Sequence, residues 1–166
     1  MMPTVAEVDG ILGTPKRLVR TMHWAPRPGR EESGWRLFVS ALEDINSGIV
    51  LPGALLRAQW RRGTLPFPEK FNFALVLAEQ RVYAWDVDRL ERHNNEVGRG
   101  LPFFGKRIDG SQEHIWTEDG YGYCEPLRLG DEEIEAVWPV FCKRVKIVEN
   151  FTFVDPDPNR KQLRLI

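Results

Sequence analysis

The sequence predicts an α+β fold: a single domain built on a mainly antiparallel meander of five to six strands, with a C-terminal helix packed on one face. Three observations carry that expectation. Runs that alternate with period two follow one another from Arg17 to Val87 with short connections between them. A segment at helical spacing, Asp131 to Lys146, comes after them. The length, 166 residues, fits one domain and lets the chain bury about 70% of its unfolded surface without disulfides or a metal.

Residues 1–16 carry Gly10, Gly13 and Pro15 and read as a flexible lead-in to a domain spanning 17–166. Arg17 to Trp24 alternates and predicts a strand, which the turn-rich Ala25–Gly34 stretch ends. Trp35, Leu37, Val39 and Ala41 then share one face, with Arg36 and Ser40 opposite. Asp44 to Gly48 predicts a hairpin, because Asn and Gly tolerate the positive φ of tight turns. The returning run, Ile49 to Arg62, puts Leu56, Ala58 and Trp60 on one face and Arg57, Gln59 and Arg61 on the other. Pro52-Gly53 within it implies a bulge or an edge position. Phe71, Phe73, Leu75 and Leu77 alternate, and Arg81–Val87 returns after a tight connection at Glu79-Gln80.

A long polar excursion then leads to a shorter strand, Glu113–Thr117, and a turn at Glu118–Gly122. In the helical segment Ile134, Val137, Phe141 and Val145 form the apolar stripe, with acids first and Lys143, Arg144 and Lys146 last, as the helix dipole favours. Pro139 predicts a kink, or a second helix starting there. The tail, Phe151 to Ile166, predicts a turn at its Asp-Pro repeats and a final edge strand. A helix on one sheet face leaves the other face available, and Trp35, Trp60, Phe71 and Phe73 are assigned to the core.

Composition is that of a globular protein: 42% hydrophobic, 28% charged, net charge −1. No global field draws it to nucleic acid or a membrane. The charge is uneven, however. Lys16, Arg17, Arg20, Arg27, Arg30 and Arg36 face only Glu31 and Glu32, whereas Glu113–Glu135 holds eight acids against Arg128. The two cysteines, Cys124 and Cys142, lack CxxC spacing, and Cys142 reads as a buried structural thiol. No stretch has a signal peptide's apolar core or the length of a membrane span, so a reduced, cytoplasmic protein is expected.

The candidate chemistry is concentrated in Arg81–Tyr123, which holds His93 and His114. Long loops in compact domains are disproportionately functional. Two imidazoles about 5–8 Å apart can act as base and acid on one phosphodiester, with a cation on the developing phosphorane charge. Here Arg92, Lys106 or Arg107 is the candidate cation and Asp86 the group that orients a ring. Asn94, Asn95 and Lys106 are candidate phosphate or base contacts. Arg57, Arg61 and Arg62, with Arg17 and Arg20 on an adjacent candidate strand and aromatic neighbours, add a candidate RNA surface. The plainer reading makes His114 a strand residue satisfied by a backbone carbonyl and His93 a solvated loop residue. A two-His, one-carboxylate metal set from Asp86, His93 and His114 lacks the spacing of a known metal box. Neither a Walker loop, a dinucleotide fingerprint nor a nucleophile elbow occurs, and no cofactor is expected.

Asp109–Leu127, DGSQEHIWTEDGYGYCEPL, together with WDVDRLERHNN (Trp85–Asn95) and WPVFCKRVKI (Trp138–Ile147), resembles small uncharacterised prokaryotic proteins. The second half of the chain is likewise similar to TumE-like toxins of toxin–antitoxin pairs. Where those place a second histidine shortly after the first, this chain has Trp116. The resemblance implies a toxin-like protein of a toxin–antitoxin or phage-defence locus, with RNA and a cognate antitoxin as partners. The alternative is a non-catalytic inhibitor or antitoxin-like partner that docks through the acidic Glu113–Glu135 region.

Overall fold

The computed structural model describes residues 2–130, 132–148 and 152–159. Helix α1 (Val5–Gly13) opens the chain. Strands β1 (Lys16–Leu18), β2 (Ala25–Pro26), β3 (Trp35–Asp44), β4 (Val50–Arg61), β5 (Lys70–Leu77) and β6 (Gln80–Val87) follow. Then come β7 (Arg92–Asn94), β8 (Arg107–Asp109), β9 (Gln112–Thr117), β10 (Gly120–Pro126) and helix α2 (Ile134–Arg144). Eight strands make one sheet in the order β1-β3-β4-β5-β6-β9-β10, with β2 also paired to β3. Strands β7 and β8 form a separate ribbon. The meander and the α+β class are as expected, and the sheet is wider than the five to six strands predicted.

Residues opposed in an antiparallel ladder point to the same side, so the register assigns the two faces. Phe38, Ala58, Phe73 and Trp85 form one row, and Ser40, Leu56, Leu75 and Tyr83 form its neighbour on the same face. Helix α2 packs there: the Phe141 ring lies 5.1 Å from Phe73 and 5.5 Å from Trp85, and Trp138 meets Phe73 edge-on at 5.1 Å. Each such buried aromatic contributes about 1.5–3 kcal/mol. Trp60, Phe71 and Phe73 are in this core, whereas Trp35 lies on the opposite face and is only half-buried.

Four local expectations change. The lead-in is a helix, because Thr4 and Glu7 form a reciprocal capping box: Glu7 N donates to Thr4 Oγ1 and Thr4 N to Glu7 Oε2. The Arg17–Trp24 strand stops at Leu18, since the Arg20 N–H turns aside to the Ser40 hydroxyl. The β5–β6 turn is Ala78-Glu79, one residue earlier than expected, and both residues have the positive φ of a mirror-image hairpin turn. Helix α2 runs unbroken through Pro139, which is exposed while Ile134, Val137, Trp138, Phe141 and Cys142 hold the helix on the sheet. The expected tail strand falls mostly outside the described residues. Its turn is present, with Asp157 N on Asp155 Oδ1 and Asn159 N on Asp157 Oδ1. Among the described residues no helix is long and apolar enough to cross a membrane.

Candidate active site

The sheet face away from α2 carries the polar chemistry. Its central row reads Val39, Arg57, Ala74, Ala84, His114, Cys124 from β3 to β10. The next row is Leu37, Gln59, Asn72, Asp86, Gln112. Ala74 and Ala84, in the middle of the central row, are fully buried. Arg81 joins this face through a register break in which Val76 faces Arg81.

His114 is the centre of the cluster. Its Nε2 lies 2.9 Å from Asp86 Oδ2, close enough to exchange a proton though off the line of a well-directed hydrogen bond. Its Nδ1 is buried with no hydrogen-bond partner among the described residues. Asp86 also pairs with the Arg81 guanidinium. Burial, the strongest single influence on Asp86, pushes its carboxyl up, but His114 and Arg81 together outweigh it and hold the group below the usual carboxylate range. Tyr121 stacks on His114 at 5.4 Å and 13°, and Arg81 lies 5.6 Å from the Tyr121 ring centre.

His93 reaches the same place from the β7–β8 ribbon. Its ring meets His114 edge-on at 5.5 Å. Its Nε2 lies 2.6 Å from Gly122 O, and a carbonyl can only accept, so Nε2 carries the hydrogen and Nδ1 of the neutral ring is left as the basic nitrogen. Asn95 fixes this approach. Cys124 N donates to Asn95 Oδ1 at 2.8 Å, and Asn95 Nδ2 donates to Cys124 O at 2.7 Å and Phe103 O at 3.0 Å. The long excursion is thereby bound to β10.

Arg57 supplies a cation without a counter-ion. Its Nε is buried without a hydrogen-bond partner, and no described carboxylate pairs with it. Burial first, then Arg81 and Arg27, depress its pKa, so an anion placed beside it would relieve both effects. Cys124 stands directly across from His114, which suggests a thiol–imidazole pair. However, burial, with Asp86 and Glu125 adding to it, pushes the thiol up to about 12, which removes it as a nucleophile at neutral pH.

Of the residues singled out by sequence, Asp86, His93 and His114 converge here, and Arg57 shares their face three strands away. Arg92 and Arg107 do not: both are exposed and directed at Asp109, across and along the ribbon. Arg62 pairs with Asp157 and Lys106 sits over Phe103. Asn94 is exposed on the ribbon, and Asn95, with its amide bound to backbone, is a tie rather than a ligand contact. Arg61 lies against Trp35 on the same open face. Arg81 and Tyr121 were missed. Tyr121 had a legible signal, an aromatic between two glycines, and here Gly120 and Gly122 take φ of +87° and +127° at a break in the β9–β10 register. Arg81 had none, because its position depends on the bulge. Among the described residues no group of three His, Cys, Asp or Glu is placed to hold a metal ion. No protein-family model, curated protein or solved structure matches the chain.

Proposed function

We propose that the protein is a metal-independent ribonuclease, a toxin-like enzyme of a toxin–antitoxin or phage-defence locus acting in the cytoplasm. The observation that carries this reading is the edge-on meeting of His93 and His114 at 5.5 Å, with Asp86 on one ring and the unpaired Arg57 three strands along the same row of the sheet. His93 Nδ1 takes the proton of an RNA 2′-OH, whose oxygen attacks the adjacent phosphorus. The bond from phosphorus to the 5′-oxygen breaks, leaving a 2′,3′-cyclic phosphate. His114, held beside Asp86 at Nε2, gives its Nδ1 proton to the departing 5′-oxygen. Arg57 and Arg81 offset the charge that develops on the phosphorane oxygens.

His114 is only 4% exposed, covered by Tyr121 at 39%. Substrate therefore reaches His114 when Tyr121 moves off the ring on its glycine-flanked bulge. The test is cleavage of single-stranded RNA in excess EDTA by purified protein, scored for cyclic-phosphate ends. His93→Ala, His114→Ala and Arg57→Gln, each confirmed as folded by circular dichroism, are expected to lose activity about 10²-fold or more. Induction in cells is expected to arrest growth, with His114→Ala relieving it. Variants as active or as toxic as the wild type would overturn the reading.

A further inference from the structure

The open sheet face continues well beyond the histidine pair, and what it carries is cationic and aromatic. Trp35, Arg61 and Lys70 make the row beyond Gln59. Two guanidiniums lie near the Trp35 ring, Arg61 at 5.6 Å and Arg27 at 5.9 Å from its centre, within the range of cation–π attraction. Arg27 is held in place by donating to Gln59 Oε1 at 3.0 Å. Among the paired strand positions of the three facing rows that run from β3 across the sheet, Asp86 is the one carboxylate, and it is already engaged by His114 and Arg81. Lys70 is paired with Asp88. Arg57, Arg27 and Arg61 therefore form a line of positive charge leading away from the candidate active site. Four strand spacings separate β3 from β9, roughly 20 Å, the span of several nucleotides rather than of one phosphate.

We propose that this face is a track for single-stranded RNA: a phosphate sits between Arg57 and Arg81 at the histidines, and the strand runs across β4 to β3, where an unpaired base stacks on the platform of Trp35, Arg27 and Arg61. The inference rests on the ribonuclease reading and names its substrate class. Charge complementarity selects a polyanion. The planar platform selects one with exposed bases, because a paired base presents no free face to stack on. An acidic protein would satisfy the arginines and leave the stacking platform without a role.

The experiment measures anisotropy of labelled 2′-O-methyl oligonucleotides, which resist cleavage, as a dinucleotide, a single-stranded octamer and an octamer duplex. The octamer is expected to bind at least tenfold more tightly than the dinucleotide or the duplex. Trp35→Ala is expected to weaken the octamer about tenfold and the dinucleotide less than twofold. Arg61→Gln and Arg27→Gln each lower the slope of log affinity against log salt by about 0.7 if one phosphate contact is lost. Octamer affinity no better than that of the dinucleotide, or indifferent to Trp35→Ala and Arg61→Gln, overturns the track, even where the unmodified dinucleotide is cleaved and the catalytic reading stands. Tight, Trp35-dependent octamer binding without cleavage of any RNA supports the track and overturns catalysis instead.

Discussion

Lys16→Met tests how the N-terminal strand is docked, and its pH dependence can be worked out in advance. Lys16 is fully buried, and its ammonium donates to Val145 O at the end of α2. Among the described residues no carboxylate pairs with it. Burial first, and repulsion from Lys146 second, lower its pKa from 10.5 to about 8. Between those values the unfolded chain holds a proton that the folded chain has released, so Lys16 makes stability rise with pH across that window. Below about pH 8 both states are protonated and the full penalty, about 3 kcal/mol, is present. By pH 9.5 about 2 kcal/mol of it is relieved. Methionine keeps the stem without the charge. At pH 7 the variant gains those ~3 kcal/mol less about 1.5–3 kcal/mol for the lost charged hydrogen bond to Val145 O. Urea unfolding of both proteins at pH 7, 8, 9 and 9.5 follows the net effect, because the burial penalty and the charged hydrogen bond both require a protonated Lys16. Titration of Cys124 and Tyr83 is common to both proteins and cancels in the difference. The variant's stability relative to wild type is expected to fall by about 2 kcal/mol from pH 7 to 9.5. A difference that is flat, or that moves the other way, refutes a charged lysine in that site.

Two further expectations concern the candidate site itself. Asn95→Ala removes three hydrogen bonds and leaves the Cys124 N–H and C=O unsatisfied, so it is expected to cost about 2–4 kcal/mol in urea unfolding and to shift the His93 imidazole NMR signals. A loss below about 1 kcal/mol with His93 unmoved would mean the excursion is held elsewhere. Diethyl pyrocarbonate is expected to modify exposed His23 and half-buried His93 while sparing His114, and Tyr121→Ala is expected to open His114 to the reagent. Labelling of His114 in the wild type as fast as His23 would show that Tyr121 does not cover it.

The sheet was largely legible because alternation is a local signal: Leu56, Ala58 and Trp60 against Arg57, Gln59 and Arg61 placed β4 correctly before any pairing was known. Alternation does not say which face is covered, which is why Trp35 was assigned to the core. The α1 capping box, Thr4 with Glu7, was also local, but the glycines around it argued for a loop. The site was half legible. Asp86, His93 and His114 stand out by residue type, yet their convergence depends on Asn95 clasping Cys124, a contact between segments far apart in the chain. Arg92 and Arg107 adjoin the right segments in sequence and still point away, because a two-stranded ribbon alternates its sides and Asp109 draws both. Arg81 depends on a bulge, and no local pattern specifies where a ladder slips.

The clasp between Asn95 and Cys124 also decides what kind of partner can bind. Together with the His93 ring on Gly122 O, it occupies backbone groups along β10, the last strand in the order of the main sheet. The first, β1, has three residues, and on its outer edge Lys16 N donates to Lys146 O while Lys16 O accepts from Val148 N. Among the described residues the main sheet thus offers little free backbone for an incoming strand, and templated addition of a foreign β-segment has nowhere to start. A neutralising protein would have to act by side-chain complementarity, laying acidic groups over the arginines of the open face. It would then compete with RNA for that surface and leave the fold of the sheet unchanged.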